Sequence, residues 1–240
     1  MYFLFPFMLI FSLPNILMAL AAVIPAIFLI VRVYKMDRIE KEPKGLIFKL
    51  IVAGMLSTVA AIVTETIGSA LIQESTLLGK FLMYFIIVAL SEEGFKYLFL
   101  KRATWNNPNF NYQFDGIVYA VSVSLGFALL ENISYVFSYG FSVALVRAVT
   151  AVPGHACFGV FMGVWYGLAK RAANAGDAVT ERKCRQMALL IPVLLHGTYD
   201  FIASLEGDYT WILFILFVLV MFFYTYRLLK QESSRDMRIG

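Results

Sequence analysis

The sequence predicts an all-α fold, a polytopic transmembrane helical bundle of about seven helices oriented N-out/C-in. Three observations carry that prediction. Hydrophobic residues form 60% of the 240 and charged residues only 15%, against roughly 25% charged in soluble domains; mean hydropathy is +0.76. Apolar runs of membrane-crossing length recur along the whole chain, and basic residues gather in alternate loops.

The first run, 9–34, follows an N-terminus that looks like a signal peptide but lacks a basic n-region. The apolar stretch Met1–Val31 also exceeds the roughly 7–15 residues of a signal h-region. It reads as a retained first helix, preceded by an interfacial segment ending near Pro14. Further spans are expected at 47–72, 80–100, 114–137, 141–170, 186–206 and 209–229. Each holds about 20 or more mostly apolar residues, enough for a hydrocarbon core of roughly 30 Å. The fifth is long, which predicts tilt or a kink. No internal repeat interrupts the pattern, so residues 1–240 read as one integral membrane domain with a motif-bearing core at about 80–206.

Sidedness follows from the basic residues. Lys35, Arg38, Lys41 and Lys44 lie in the first loop, Lys101 and Arg102 in the third. Lys170, Arg171, Arg182, Lys183 and Arg185 lie in the fifth, and Arg227, Lys230, Arg235 and Arg238 in the tail. The intervening loops are nearly free of them, Lys80 excepted. The net charge of +4 is therefore topological and gives no nucleic-acid signal. Cys157 falls in a span and Cys184 in an expected cytoplasmic loop, so a mutual disulfide is not expected. Gly159, Gly163 and Gly167 at GxxxG spacing predict close helix packing.

The function-bearing signal is the set of ionisable residues inside spans: Glu65, Glu92, Glu93, Lys96, Glu131, Arg147, His155, His196 and Asp200. Each costs about 2.5–3.5 kcal/mol on insertion scales, too much for idle decoration. At a rise of about 1.5 Å per residue, Glu92, Glu93, His155 and His196 overlap in depth, with Glu131 and Asp200 nearer the outer surface. His196 and Asp200 are i,i+4, so the carboxylate can orient the imidazole. Pro153–Gly154 and Pro192 put helix distortions beside both histidines. Bland readings apply to several of the others. Lys96 can snorkel to the cytoplasmic surface with Glu92 as a helix pair. Glu65 and Arg147 can form a structural ion pair, Asp115 can complement a helix dipole, and Asn132 can bond between helices.

Paired carboxylates with nearby histidines suit acid–base work on water: a glutamate takes a proton from water attacking a peptide carbonyl and returns it to the leaving amine. A neutral histidine can hold the water or stabilise the oxyanion. No GxSxG, HExxH or GxGD pattern points to another intramembrane protease chemistry. No cofactor is favoured, although two histidines with carboxylates leave a zinc mechanism open.

The series Glu92-Glu93-x-x-Lys96, Phe127-x-x-x-Glu131-x-x-x-Tyr135, His155-x-x-x-Gly159 and His196-x-x-x-Asp200 resembles the PrsW family of bacterial intramembrane proteases, related to the CAAX-processing and bacteriocin-processing proteases of the CPBP or Abi clan. The resemblance covers about 92 to 200, and the first two helices carry no matching motif. It implies a glutamate-dependent endopeptidase of the bacterial plasma membrane. Such an enzyme makes the first, extracytoplasmic cut in a single-pass anti-sigma factor, leading to sigma-factor release. Carried onto this chain, Glu92 or Glu93 activates water with His196, Asp200 orients His196, and Glu131 and His155 complete the pocket. Lys96 in place of the CAAX branch's arginine, and Glu131 where that branch often has histidine, argue against prenyl-protein processing. A proton-coupled membrane transporter is the alternative from another class, weakened by the missing inverted repeat. A non-enzymatic sensor or scaffold gives no reason for the paired glutamates.

Overall fold

A computed structural model describes residues 13–239, and within them the chain is helical with no strand beyond one isolated bridge, Tyr112 to Arg238. The start of the first expected span at residue 9 and all but the end of the interfacial segment expected up to Pro14 lie outside the described residues. The helices are α1 Leu13–Met36, α2 Lys44–Leu71, α3 Leu77–Phe81, α4 Leu90–Thr104, α5 Asp115–Tyr139, α6 Phe141–Val149, α7 Ala151–Asn174, α8 Ala178–Ala203 and α9 Thr210–Ser234. A π-helical stretch, Leu82–Ala89, joins α3 to α4 in one continuous run. Counting α6 and α7 together, six helical runs are long and apolar enough to cross a membrane, and the seven-helix bundle is completed by the run from α3 to α4. That run is the most charged at its centre, with Glu92, Glu93 and Lys96 all buried.

α5 is the central post. Nearly every residue from Asp115 to Leu129 is buried, because small residues (Gly116, Ala120, Ser122, Ser124, Gly126, Ala128) let neighbours close in on all sides. The expected GxxxG contact lies here: a Cβ on Gly163 of α7 would fall 2.4 Å from Ile117 Cα and 2.6 Å from Gly116 O. On the opposite side Gly54 of α2 meets the Val123 carbonyl just as closely, with 2.0 Å left for a Cβ. Backbones at such separation pack by van der Waals contact, the main attraction between helices in lipid.

Two helix irregularities aim side chains inward. The long fifth span breaks at Thr150 (φ −121°, ψ −75°), three residues before Pro153. The proline ring cannot sit beside the carbonyl of Val149 four residues back in an unbroken helix. The π-helical stretch precedes Glu92 and Glu93; i→i+5 bonding turns the face that the following α-helix presents. Phe85 within it lies against Gly197, where a Cβ would come within 2.4 Å of the ring. That contact draws α8, and His196 with it, against α4.

Some expectations need correction. Cys184 is buried within α8 and is not in a loop, because that helix begins at Ala178 behind an Asp177 cap whose side chain accepts the Thr180 N–H. Asp115 does open α5, but its carboxylate is fully buried and accepts the N–H groups of Asn111 and Tyr112. Asn132 bridges helices as expected, donating to the Ala22 carbonyl of α1 at 3.0 Å.

Because the α5–α7 contact has no slack, Gly163→Ala is expected to destabilise the bundle by about 1–3 kcal/mol through overpacking. Gly94 has nothing within 4 Å of its would-be Cβ, so Gly94→Ala should be neutral or stabilising by about 0.5–1 kcal/mol. Thermal unfolding of both variants in detergent measures the contrast.

Candidate active site

All six candidate residues converge. Glu92 and Glu93 come from α4, Glu131 from α5, His155 from α7, and His196 and Asp200 from α8. Lys96 stands in their middle. Its Nζ donates to Glu93 Oε1 at 2.7 Å and Glu92 Oε2 at 3.1 Å, and lies 3.1 Å from His155 Nδ1. The side chain is fully buried and its ammonium sits 3.9 Å from the centre of the Phe127 ring. Lys96 therefore does not snorkel to the surface. Two carboxylates, an imidazole and an aromatic face hold it in the core more favourably than a long reach to water.

The hydrogen-bond pattern sets the histidine tautomers. An ammonium carries three donors and no acceptor, so His155 Nδ1 accepts from Lys96. Nε2 of His155 then carries the proton and donates to Glu131 Oε2 at 2.9 Å. His196 differs: Nδ1 faces Glu93 Oε1 at 2.9 Å and Nε2 faces Asp200 Oδ2 at 3.2 Å. With both partners ionised, both ring nitrogens donate and the ring is a cation. The expected i,i+4 orientation of His196 by Asp200 is present in this contact. Phe158 stacks on His196 at 4.7 Å and stands nearly edge-on to His155, fixing both ring planes.

Arg147 completes the charge balance. Its Nη2 lies 2.7 Å from Glu131 Oε2, its Nε donates to Asn132 Oδ1 at 2.9 Å, and its guanidinium lies over the Tyr135 ring. The ion pair expected between Glu65 and Arg147 is thus replaced by Glu131–Arg147, since the turn of α6 points Arg147 at α5. Glu65 instead lines the same cavity, with Oε1 buried and without a hydrogen-bond partner.

That cavity, about 430 Å³, is lined by Glu92, Glu131, His155, His196 and Asp200, together with Glu65, Tyr84, Tyr135, Arg147 and Tyr199. Glu93 and Lys96 do not line it; they form the layer behind. Sequence reasoning left Lys96, Phe158 and Tyr199 out of the site. The first was detectable as a cation three and four residues after two acids, and Phe158 as the residue one turn after His155. Tyr199 had no signal beyond its place beside Asp200.

Carboxylates and imidazoles gathered round one cavity inside a membrane bundle are the equipment of an intramembrane protease. Comparison with known proteins agrees. A family described as "PrsW family intramembrane metalloprotease" matches residues 42–226. Protease PrsW of Oceanobacillus iheyensis is 36% identical, covering 89% of this chain and 95% of its own length. Its counterpart in Bacillus subtilis is 32% identical over 90% of this chain and 96% of its own; that of Clostridioides difficile is 34% identical over 89% and 90%. No solved structure matches. The chain belongs to the PrsW family, and is a multi-pass bacterial membrane protease.

The family description implies a metal, and the donors are of a suitable kind: oxygens of Glu92 and Glu93 and a nitrogen of His155 lie within 4.8 Å of one another. The Lys96 ammonium, however, occupies the point on which they converge, at 2.7–3.1 Å from all three. Zinc binds such ligands at about 2.0–2.2 Å and would have to displace the ammonium. As folded, the arrangement does not fit a metal at this point.

Removing the ammonium leaves two buried carboxylates facing each other. Lys96→Met is expected to lower stability by about 3–5 kcal/mol. Adding Glu93→Gln should restore part of that loss, since one uncompensated charge goes with it. A double-mutant cycle by thermal unfolding checks this.

Proposed function

We propose that the chain is an endopeptidase that cleaves a membrane-anchored, single-pass anti-sigma factor by glutamate-activated water, with Glu92 as the base. One observation supports Glu92 over Glu93: Glu92 lines the cavity, while Glu93 is wholly buried between Lys96 and His196. In this reading Glu92 takes a proton as water oxygen bonds to the peptide carbonyl carbon. It then delivers that proton to the amide nitrogen as the C–N bond breaks. His196, 3.8 Å from Glu92 Oε2 and holding Glu93 and Asp200 with its two ring N–H groups, stabilises the developing negative oxygen through its positive charge. His155 holds Lys96 in the layer behind the cavity, and Glu131 holds Arg147 on its wall.

An extracytoplasmic cut is supported by where the cavity lies along the helices. Glu65, Tyr84, Tyr135, Arg147 and Tyr199 lie near the ends of the helices that carry few basic residues, the outer ends under the N-out/C-in arrangement. An anti-sigma factor substrate is supported by the family resemblance.

The test is cleavage of a tagged single-pass anti-sigma factor by the purified enzyme. Glu92→Gln is expected to retain thermal stability and to lose activity by at least about 100-fold, the scale of a general base. Full activity in Glu92→Gln, Glu93→Gln and His196→Ala together would overturn the site. Activity lost on chelation and restored by zinc would overturn the metal-free mechanism, and solute flux without proteolysis would overturn the protease reading.

A further inference from the structure

At the end of the bundle away from the cavity, three acids from separate segments meet. Asp37 follows α1, Glu42 precedes α2 and Asp115 opens α5; one carboxylate oxygen of each lies within 4.8 Å of the others. All three are buried, at 1%, 3% and 0% exposure. Part of their bonding capacity is met within the fold. Tyr119 donates its hydroxyl to Glu42 Oε2 at 2.6 Å, and Asp115 Oδ2 takes the N–H groups of Asn111 and Tyr112. The remainder is not. Both oxygens of Asp37 and Oδ1 of Asp115 are buried without a hydrogen-bond partner. Lys41, in the same loop, directs its ammonium to the carbonyls of Tyr34, Lys35 and Asp37 that end α1.

We propose that Asp37, Glu42 and Asp115 bind a hard divalent cation, calcium or magnesium, at the cytoplasmic end of the bundle. The enclosed carboxylate of Asp37, which has no hydrogen-bond partner and whose neighbouring Lys41 ammonium is already shared among three carbonyls, is the observation that carries this beyond a mere acidic cluster, because a buried charge so weakly offset is strongly unfavourable. The donor set is all oxygen, with no histidine or cysteine, which selects hard cations over zinc. The spacing also agrees: ligands at about 2.3–2.6 Å on opposite sides of a calcium ion stand roughly 4.6–5.2 Å apart. Binding would clamp the α1–α2 loop to the start of α5. The tail already lies over that junction, with Asp236 Oδ1 accepting the Phe114 N–H at 2.9 Å and Ile239 N–H reaching Asn111 O at 2.7 Å.

The test uses the purified full chain in detergent, stripped with chelator and then titrated with calcium or magnesium alone. Radiolabelled calcium binding should saturate at one ion per chain, and the unfolding temperature should rise with it. Glu92→Gln, altered only in the cavity, should keep both effects; Asp37→Asn and Asp115→Asn should lose them. Absence of saturable binding at millimolar calcium or magnesium in the wild type would overturn the proposal. So would binding unchanged in both aspartate variants. Stabilisation by acid with no response to either cation would do the same and assign the cluster to shared protons.

Discussion

The buried ammonium of Lys96 is the interaction on which the site depends. A lone charge at this depth would be driven out, and a lone carboxylate would take up a proton. Here three N–H donors meet three acceptors, Glu92, Glu93 and His155, from two helices, while the Phe127 ring from a third covers the remaining face. The ammonium thereby fixes the orientation of both glutamates, and by making His155 Nδ1 an acceptor it directs the other ring nitrogen to Glu131. Glu131 in turn holds Arg147. One cation thus determines hydrogen-bond direction across α4, α7, α5 and α6.

Such a chain of contacts needs helices closer than ordinary side chains permit. The glycines of α7 and α2 bring backbones against α5, and Gly197 admits the Phe85 ring. Small residues and ion pairs are therefore two halves of one arrangement: close approach supplies the short distances, and the paired charges make their burial tolerable. The lipid-facing helices need neither, and α1 and α9 accordingly bury far less of themselves than α5 does.

Much of this was legible in the sequence because hydropathy is a local property. Seven helical runs, an acid–histidine set within them and the GxxxG packing face all follow from residues read in order. Partner choice is not local. Glu65 and Arg147 share an outer depth, yet depth says nothing of azimuth, and the break at Thr150 turns Arg147 toward Glu131. Lys96 had two outcomes of similar energy by composition alone, the surface or the core. Only the convergence of His155 and Phe127, distant in sequence, decides between them. The π-helical stretch before Glu92 leaves no pattern in an evenly apolar run. Of the acids at the cytoplasmic end, Asp115 reads in sequence only as a helix-dipole charge, and Asp37 and Glu42 give no signal because they sit in a charged loop, where acids are ordinarily solvated.

The adjacent glutamates show how little sequence distance separates different environments. Successive residues on a helix point about 100° apart. A pair at the edge of a cavity must therefore divide, with one side chain facing the opening and the other turned into the protein. Glu92 takes the open face. Glu93 takes the closed one, where it bonds Lys96 and His196 at once. The two are coupled through Lys96, so the inner carboxylate sets the position and electrostatic field of the outer one without touching the cavity. Under the proposed mechanism, a substitution at either would reach the same chemistry by a different route, through the base at Glu92 and through its support at Glu93.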